Sequence, residues 1–181
     1  MKRSLSHFSA PQRALHWSMA VLIIAMLFVG VGMVSTVSRL HNSLLMLHRP
    51  LGIALLMLVL VRLVVRLVCG APHLPADLPA WQRVGAHASH LALYALMIAM
   101  PLIGWSMLSA AGYPVVLFSG VHLPPIAPHD VTLYAWLRNA HTWLALVLFA
   151  TVLLHLAAAL FHALIRRDGV LASMTRGETR G

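Results

Sequence analysis

Apolar residues do not alternate with polar ones along this chain; they run together in four long blocks separated by short polar or proline-rich pieces. The blocks extend from about Ala14 to Val37, Leu44 to Val68, Val84 to Leu108 and Asn139 to Ile165, with the arginines of the second block near its ends. Roughly 20 apolar residues are needed to cross a bilayer as a helix, and lipid accepts only helices or closed barrels because unpaired backbone groups find no water there. Blocks of this length without strand-like alternation predict an all-α, integral membrane four-helix bundle with spans 14–37, 44–68, 84–108 and 139–165. Two connections are marked. Gly70 to Ala80 carries Pro72, Pro75 and Pro79, which stop the second helix, and Ser109 to Asp130 carries Gly112, Pro114, Gly120, Pro124, Pro125 and Pro128. The latter is predicted as a structured loop or re-entrant cap over one end of the bundle. With no internal repeat or low-complexity tract, residues 1–181 read as a single transmembrane domain.

Composition agrees: 60% of the 181 residues are hydrophobic and only 9% are charged, far below a soluble domain. The net charge of +9 raises the question of nucleic acid, but the basic residues sit between apolar blocks and form no stripe, so nucleic acid is not an expected partner. Their distribution instead predicts orientation. With the N-terminus cytoplasmic, ten basic residues (Lys2, Arg3, Arg13, Arg62, Arg66, Arg83, Arg166, Arg167, Arg176, Arg180) lie inside and three (Arg39, Arg49, Arg138) outside. Both termini are therefore expected in the cytoplasm, with the first block an uncleaved span of a multi-pass membrane protein. The lone Cys69 offers neither a disulfide nor a sulfur-ligated metal site.

The chain has twelve histidines, and a histidine inside a span usually faces the bundle interior and a partner or cofactor. On the fourth block, His141, His155 and His162 are separated by fourteen and seven residues and so share one helix face, with His141 and His155 about 21 Å apart along the axis. That distance is too large for one ion and suits two cofactors at different depths. His16, His48, His87 and His90 on the other blocks are possible partners. A tetrapyrrole held by one imidazole on each side needs no cysteine, and the absence of CxxCH fits haem b rather than haem c. Zinc lacks a set of ligands at one height, and packing or proton-relay roles remain open for any single histidine. His7, His41, His73, His122 and His129 fall at ends or in loops, where solvated or interfacial positions are expected.

The segments Phe8 to Trp17 (FSAPQRALHW), Met100 to Pro125 (MPLIGWSMLSAAGYPVVLFSGVHLPP) and His141 to Gly169 (HTWLALVLFATVLLHLAAALFHALIRRDG) resemble the bacterial cytochrome b561 family. The resemblance implies a four-helix inner-membrane cytochrome with two haem b groups, some members of which oxidise superoxide and reduce ubiquinone. Carried over by position, it implies His16 and His155 as ligands of the haem nearer the cytoplasm, and His48 and His141 as ligands of the outer one. By depth alone His162 competes with His155 for His16; the family pattern selects His155. The same pattern associates His90 and His162 with ubiquinone, a role that suits imidazole because quinone reduction consumes protons. Arg62 and Arg66, one turn apart, are candidates for haem propionates or lipid phosphate, and Arg49 and Arg138 would attract an anion such as superoxide to the outer haem. The expected activity is superoxide:ubiquinone oxidoreduction. The alternative is a haem b anchor subunit passing electrons from a hydrogenase or dehydrogenase partner to quinone.

Overall fold

A computed structural model describes residues 7–117 and 120–176. It contains four long helices, α1 (Ala10–Ser35), α2 (Arg39–Cys69), α3 (Ala80–Ala110) and α4 (Val131–Phe161), a π-helical turn (His162–Arg166) and a short α5 (Val170–Thr175). All four long helices have the length and hydropathy to cross a membrane, and little of each is buried within the protein itself, as expected for helices whose outer faces meet lipid. The chain runs up and down, so the start of α1, the α2–α3 connection and the end of α4 share one end of the bundle, the termini end. Lys2, Arg3 and Arg180 of the charge pattern lie outside the described residues.

The helices extend past the uncharged blocks. α2 starts at Arg39 and α4 at Val131, eight residues before the expected Asn139, which places Arg138 in the second turn of a helix. The reason is local capping: Asp130 accepts the Leu133 N–H at 2.8 Å, and Ser38 accepts the Leu40 N–H at 3.2 Å. α2 ends at Gly70, whose φ of 72° favours glycine. Pro50 and Pro101 sit inside α2 and α3, as spanning helices allow when neighbours serve the freed carbonyls.

The Ser109–Asp130 connection is a small antiparallel hairpin, β1 (Val115–Leu117) with β2 (Val121–Leu123), in the register Val115↔Leu123 and Leu117↔Val121. Strands are not expected from the sequence, because segments this short carry no readable alternation. The hairpin packs on α2 and α3 and is pinned to the end of α3 by Trp105 Nε1 to the Pro124 carbonyl (2.9 Å), Ile126 N–H to Ser109 Oγ (3.1 Å) and Asp130 N–H to the Ala110 carbonyl (3.0 Å). Gly112 there adopts φ +73°, and a Cβ would come within 2.9 Å of the His129 ring.

The tightest core lies at mid-bundle, where Met19 of α1 and Leu56 and Val59 of α2 pack with Tyr94, Met97 and Ile98 of α3. α1 packs most extensively along α2, and α3 along α4, while the backbones of α1 and α2 approach that of α4 less closely. That separation determines what the histidines can do.

Candidate functional site

Each candidate histidine projects from a continuous helix, so its depth is set by its residue number. His48 and His141 fall in the third turns of α2 and α4, ten or eleven residues in from helix starts at the same end; they lie deeper than the limits of the apolar blocks suggest. Their ring centres are 6.2 Å apart. At the opposite end His16, in the second turn of α1, faces His155 of α4 with ring centres 6.3 Å apart. Of the two α4 histidines in competition, His155 is the one whose ring faces His16. All four rings are half-buried.

These separations allow a test of what could sit between the rings. A metal to imidazole nitrogen bond is about 2 Å, and a ring of conjugated bonds near 1.33 Å has its centre roughly 1.1 Å behind that nitrogen, so two imidazoles on opposite sides of one metal have centres about 6.3 Å apart. Both pairs match that spacing, and in each the two rings come from helices whose backbones approach less closely than those of α1 with α2 or α3 with α4. His16 with His155, and His48 with His141, would each be able to hold a metal-bearing prosthetic group between their rings. Among the described residues no cluster of three or more metal-ligating histidine, cysteine or acidic side chains occurs.

Unpaired donors point the same way. Arg49 Nε and Arg62 NH1 are buried with no hydrogen-bond partner, as are His48 Nδ1 and Ser89 Oγ. Native proteins rarely leave such groups unmatched, and each calls for a missing acceptor. Arg49 interacts electrostatically with His48, and Arg62 with His16, His90 and His155, so one guanidinium attends each pair. Arg62 is steadied by its Nε bond to Tyr94 Oη at 3.2 Å. The anionic propionates of a haem are acceptors of the required kind. Arg66, the other candidate for a propionate or lipid phosphate, lies over the Phe8 ring at 5.9 Å and also interacts electrostatically with His90. His141 Nδ1 is short of a full hydrogen bond, with the Met100 carbonyl beside it. Its ring is admitted by Gly104, where a Cβ would stand 3.3 Å from Cε1.

The remaining candidates lie in the termini half. The His90 ring is 5.6 Å from that of His155, closer than either facing pair, and His90 is exposed. His87 is exposed and its Nδ1 contacts the Arg83 carbonyl at 2.7 Å. His162 opens the π-helical turn, and its Nδ1 meets Asp168 Oδ2 at 2.6 Å. Arg13 folds back onto the Phe8 carbonyl at 2.7 Å, which lets α1 start above His16 without placing a free cation in the span. The loop histidines are elsewhere: His41 Nδ1 contacts the Met33 carbonyl at 2.9 Å, while His73, His122 and His129 are exposed. Sequence reasoning does not single out Asp168, Gly104 or Tyr94. Asp168 alone carries a signal, as one of only four acidic residues and six positions after His162.

Comparison with known proteins covers nearly the whole chain. A family model described as prokaryotic cytochrome b561 matches residues 7–177. Cytochrome b561 homolog 1 of Escherichia coli strain K12 is 27% identical over 173 residues, covering 94% of this chain and 97% of that protein. Cytochrome b561 homolog 2 of the same organism is 29% identical over 181 residues, covering 94% and 95%. A probable superoxide oxidase CybB of Yersinia pestis is 28% identical over 169 residues, covering 92% and 94%.

Proposed function

Because the chain belongs to the prokaryotic cytochrome b561 family, multi-pass inner-membrane proteins that transfer electrons on haem b, we propose that it carries electrons from superoxide to ubiquinone on two haems. His48 and His141 hold one haem at the hairpin end; His16 and His155 hold the other at the termini end. His90 and His162 serve ubiquinone, and the termini end faces the cytoplasm, where the basic residues concentrate. Residues 1–181 act as one domain. The observation that carries this reading is the pair of facing imidazoles at each end, 6.2 Å between centres at the hairpin end and 6.3 Å at the termini end. The likeness to a probable superoxide oxidase supports superoxide as the donor.

Bound haem supplies reversible one-electron chemistry, and the protein's own residues set where it happens. Arg49 and Arg62 place positive charge beside each site and favour the electron-rich state there. Arg49 and Arg138 raise the concentration of a small anion at the hairpin end. Two superoxide ions each give one electron and leave as dioxygen, while one ubiquinone takes two electrons and two protons, so protons are needed only at the quinone end. The exposed imidazole of His90, beside His155, and His162, beyond it at the end of α4, provide proton-handling groups for that half.

The test is reduction of a soluble ubiquinone analogue by purified holoprotein under a steady superoxide flux. The expected result is quinol formation that requires the protein and falls at least tenfold in His162→Gln. Haem reduced by superoxide but never reoxidised by quinone would remove ubiquinone from the account, and haem indifferent to superoxide would remove the donor.

A further inference from the structure

Two of the three carboxylates among the described residues converge on the last turn of α4. The π-helical turn ends at Arg167, whose φ of 54° is a left-handed conformation disfavoured for a side-chain-bearing residue, and Gly169 follows at φ 78°. The reversal returns Asp168 beneath His162. One oxygen, Oδ2, accepts from His162 Nδ1 at 2.6 Å and from Arg166 Nε at 3.1 Å, and the other accepts the Val170 N–H at 3.2 Å. Arg166 then reaches outward to Asp77 Oδ2 at 2.8 Å and Gln82 Oε1 at 3.4 Å, on the α2–α3 connection and α3. Side-chain exposure falls along this series, from 76% at Asp77 to 19% at Arg166, 15% at His162 and 9% at Asp168. Backbone strain, a π-turn and a shielded charge cluster in one place mark a built site rather than a frayed helix end.

The chemistry of the cluster fixes the state of His162. Burial alone would raise the Asp168 pKa, but the bonds from His162, the Val170 N–H and Arg166 outweigh it and hold the group below the ordinary 3.8. An ionised carboxylate has no proton to give, so His162 Nδ1 carries the hydrogen and Nε2 is left for a second partner. The charged groups around the ring are Asp168, Arg166 and, through Arg166, Asp77.

We propose that Asp168 is the positioning residue that makes His162 the proton donor of quinone reduction, holding the ring through Nδ1 so that Nε2 serves the quinone oxygen. This rests on the assignment of ubiquinone to His162 above. In each transfer the ring, already carrying hydrogen on Nδ1, takes a second proton at Nε2 from water at the termini end; that Nε2–H bond then breaks as a quinone O–H bond forms and one electron from the one-electron donor arrives, which returns the ring to its Nδ1–H form. Two such transfers accompany the two electrons each quinone takes. An anion fixed at Nδ1 stabilises the positive charge that arises on the ring between transfers, the logic by which buried carboxylates support catalytic histidines elsewhere.

The experiment mixes chemically reduced holoprotein with a soluble ubiquinone analogue and follows haem reoxidation as a function of pH in wild type, Asp168→Asn, Asp168→Glu, His162→Gln and Asp130→Asn. General acids contribute about 100-fold or more, so Asp168→Asn is expected to slow reoxidation at least tenfold and flatten its pH profile, with the haem spectrum unchanged. Asp168→Glu should recover to within about threefold, because it restores the carboxylate. Asp130→Asn, which removes an equal charge at the other end and keeps a good helix cap, should behave as wild type. NMR of isotope-labelled histidine supplies a readout independent of turnover: the resonance lost in His162→Gln should report a ring protonated at Nδ1 in wild type. A slow His162→Gln beside an Asp168→Asn of wild-type rate and pH profile overturns the role of Asp168 and leaves the quinone assignment standing. A His162→Gln that reoxidises normally removes the quinone assignment and this inference with it. If Asp168→Asn fails to hold haem, the NMR readout on wild type decides: a His162 ring protonated only at Nε2 overturns the proposal.

Discussion

The two ends of the bundle share one unit and differ in everything around it. At each end an imidazole of α4 faces another, with ring centres 6.2 or 6.3 Å apart and one partly buried guanidinium attending. At the hairpin end, among the described residues, nothing else ionisable is buried beside the pair, and the carboxylate of Asp130 is committed to capping α4. In the termini half His90 touches the pair, and His162, Asp168, Arg166 and Asp77 form a linked cluster. Under the proposed function, the contrast assigns electrons to the shared unit and protons to the additions. An end that only accepts an electron needs ligands and positive charge; an end that reduces a quinone also needs acids.

If the units are independent, breaking one should spare the other. His141→Ala is expected to lower the haem-to-protein ratio from near two to near one while the inner spectrum persists, and His155→Ala should do the converse; loss of both haems in either variant would show one cooperative site. Gly104→Val tests the same point without touching a ligand. Its branched side chain must displace the His141 ring from 3.3 Å, so partial loss of the outer haem and retention of the inner one are expected, with Gly104→Ala milder.

The guanidiniums allow a finer comparison. Removing a nearby positive charge favours the oxidised state, so Arg62→Leu should lower the inner midpoint potential and Arg49→Leu the outer, each by roughly tens of millivolts. Redox titration with the two haems resolved would show the reverse pairing if the assignment of ends were wrong. Superoxide should reduce the outer haem more slowly as salt rises, about severalfold across the physiological range, with a further reduction in Arg138→Ala. A rate insensitive to both would eliminate electrostatic capture.

The smallest expected effect concerns stability at the termini end. Asp168 titrates below its ordinary range in the folded protein, so it stabilises the fold fully above about pH 4 and loses that contribution as pH falls through its lowered value. Asp168→Asn should therefore lower the melting temperature at neutral pH by on the order of 2 °C, and the difference from wild type should vanish in acid. A difference that grows on acidification would contradict the ionised state of this residue.

Much of this architecture is legible as hydropathy. Four apolar blocks announce four spans, and the fixed rise of a helix by itself separates His141 from His155 in depth. The ends are not legible, because lipid selects against charge while helices continue past it: Arg39 and Arg138 lie inside helices that caps at Ser38 and Asp130 initiate. The hairpin is hidden because its pairing is set by contacts with α2 and α3 more than by its own three-residue strands. Spacing along one helix cannot choose between His155 and His162 as the partner of His16, since that depends on how α1 and α4 stand in space. Asp168 escapes notice because its approach to His162 requires a left-handed Arg167, a conformation no propensity would suggest.

The most direct test of the central claim is the haem content of the purified protein, read as a reduced-minus-oxidised absorbance spectrum with a pyridine haemochrome ratio after expression with ample haem. Two haem b groups per chain, both with bis-histidine spectra, are expected. A ratio of one or less in undamaged protein would contradict the account, since it would leave one of the two matched imidazole pairs with nothing to hold.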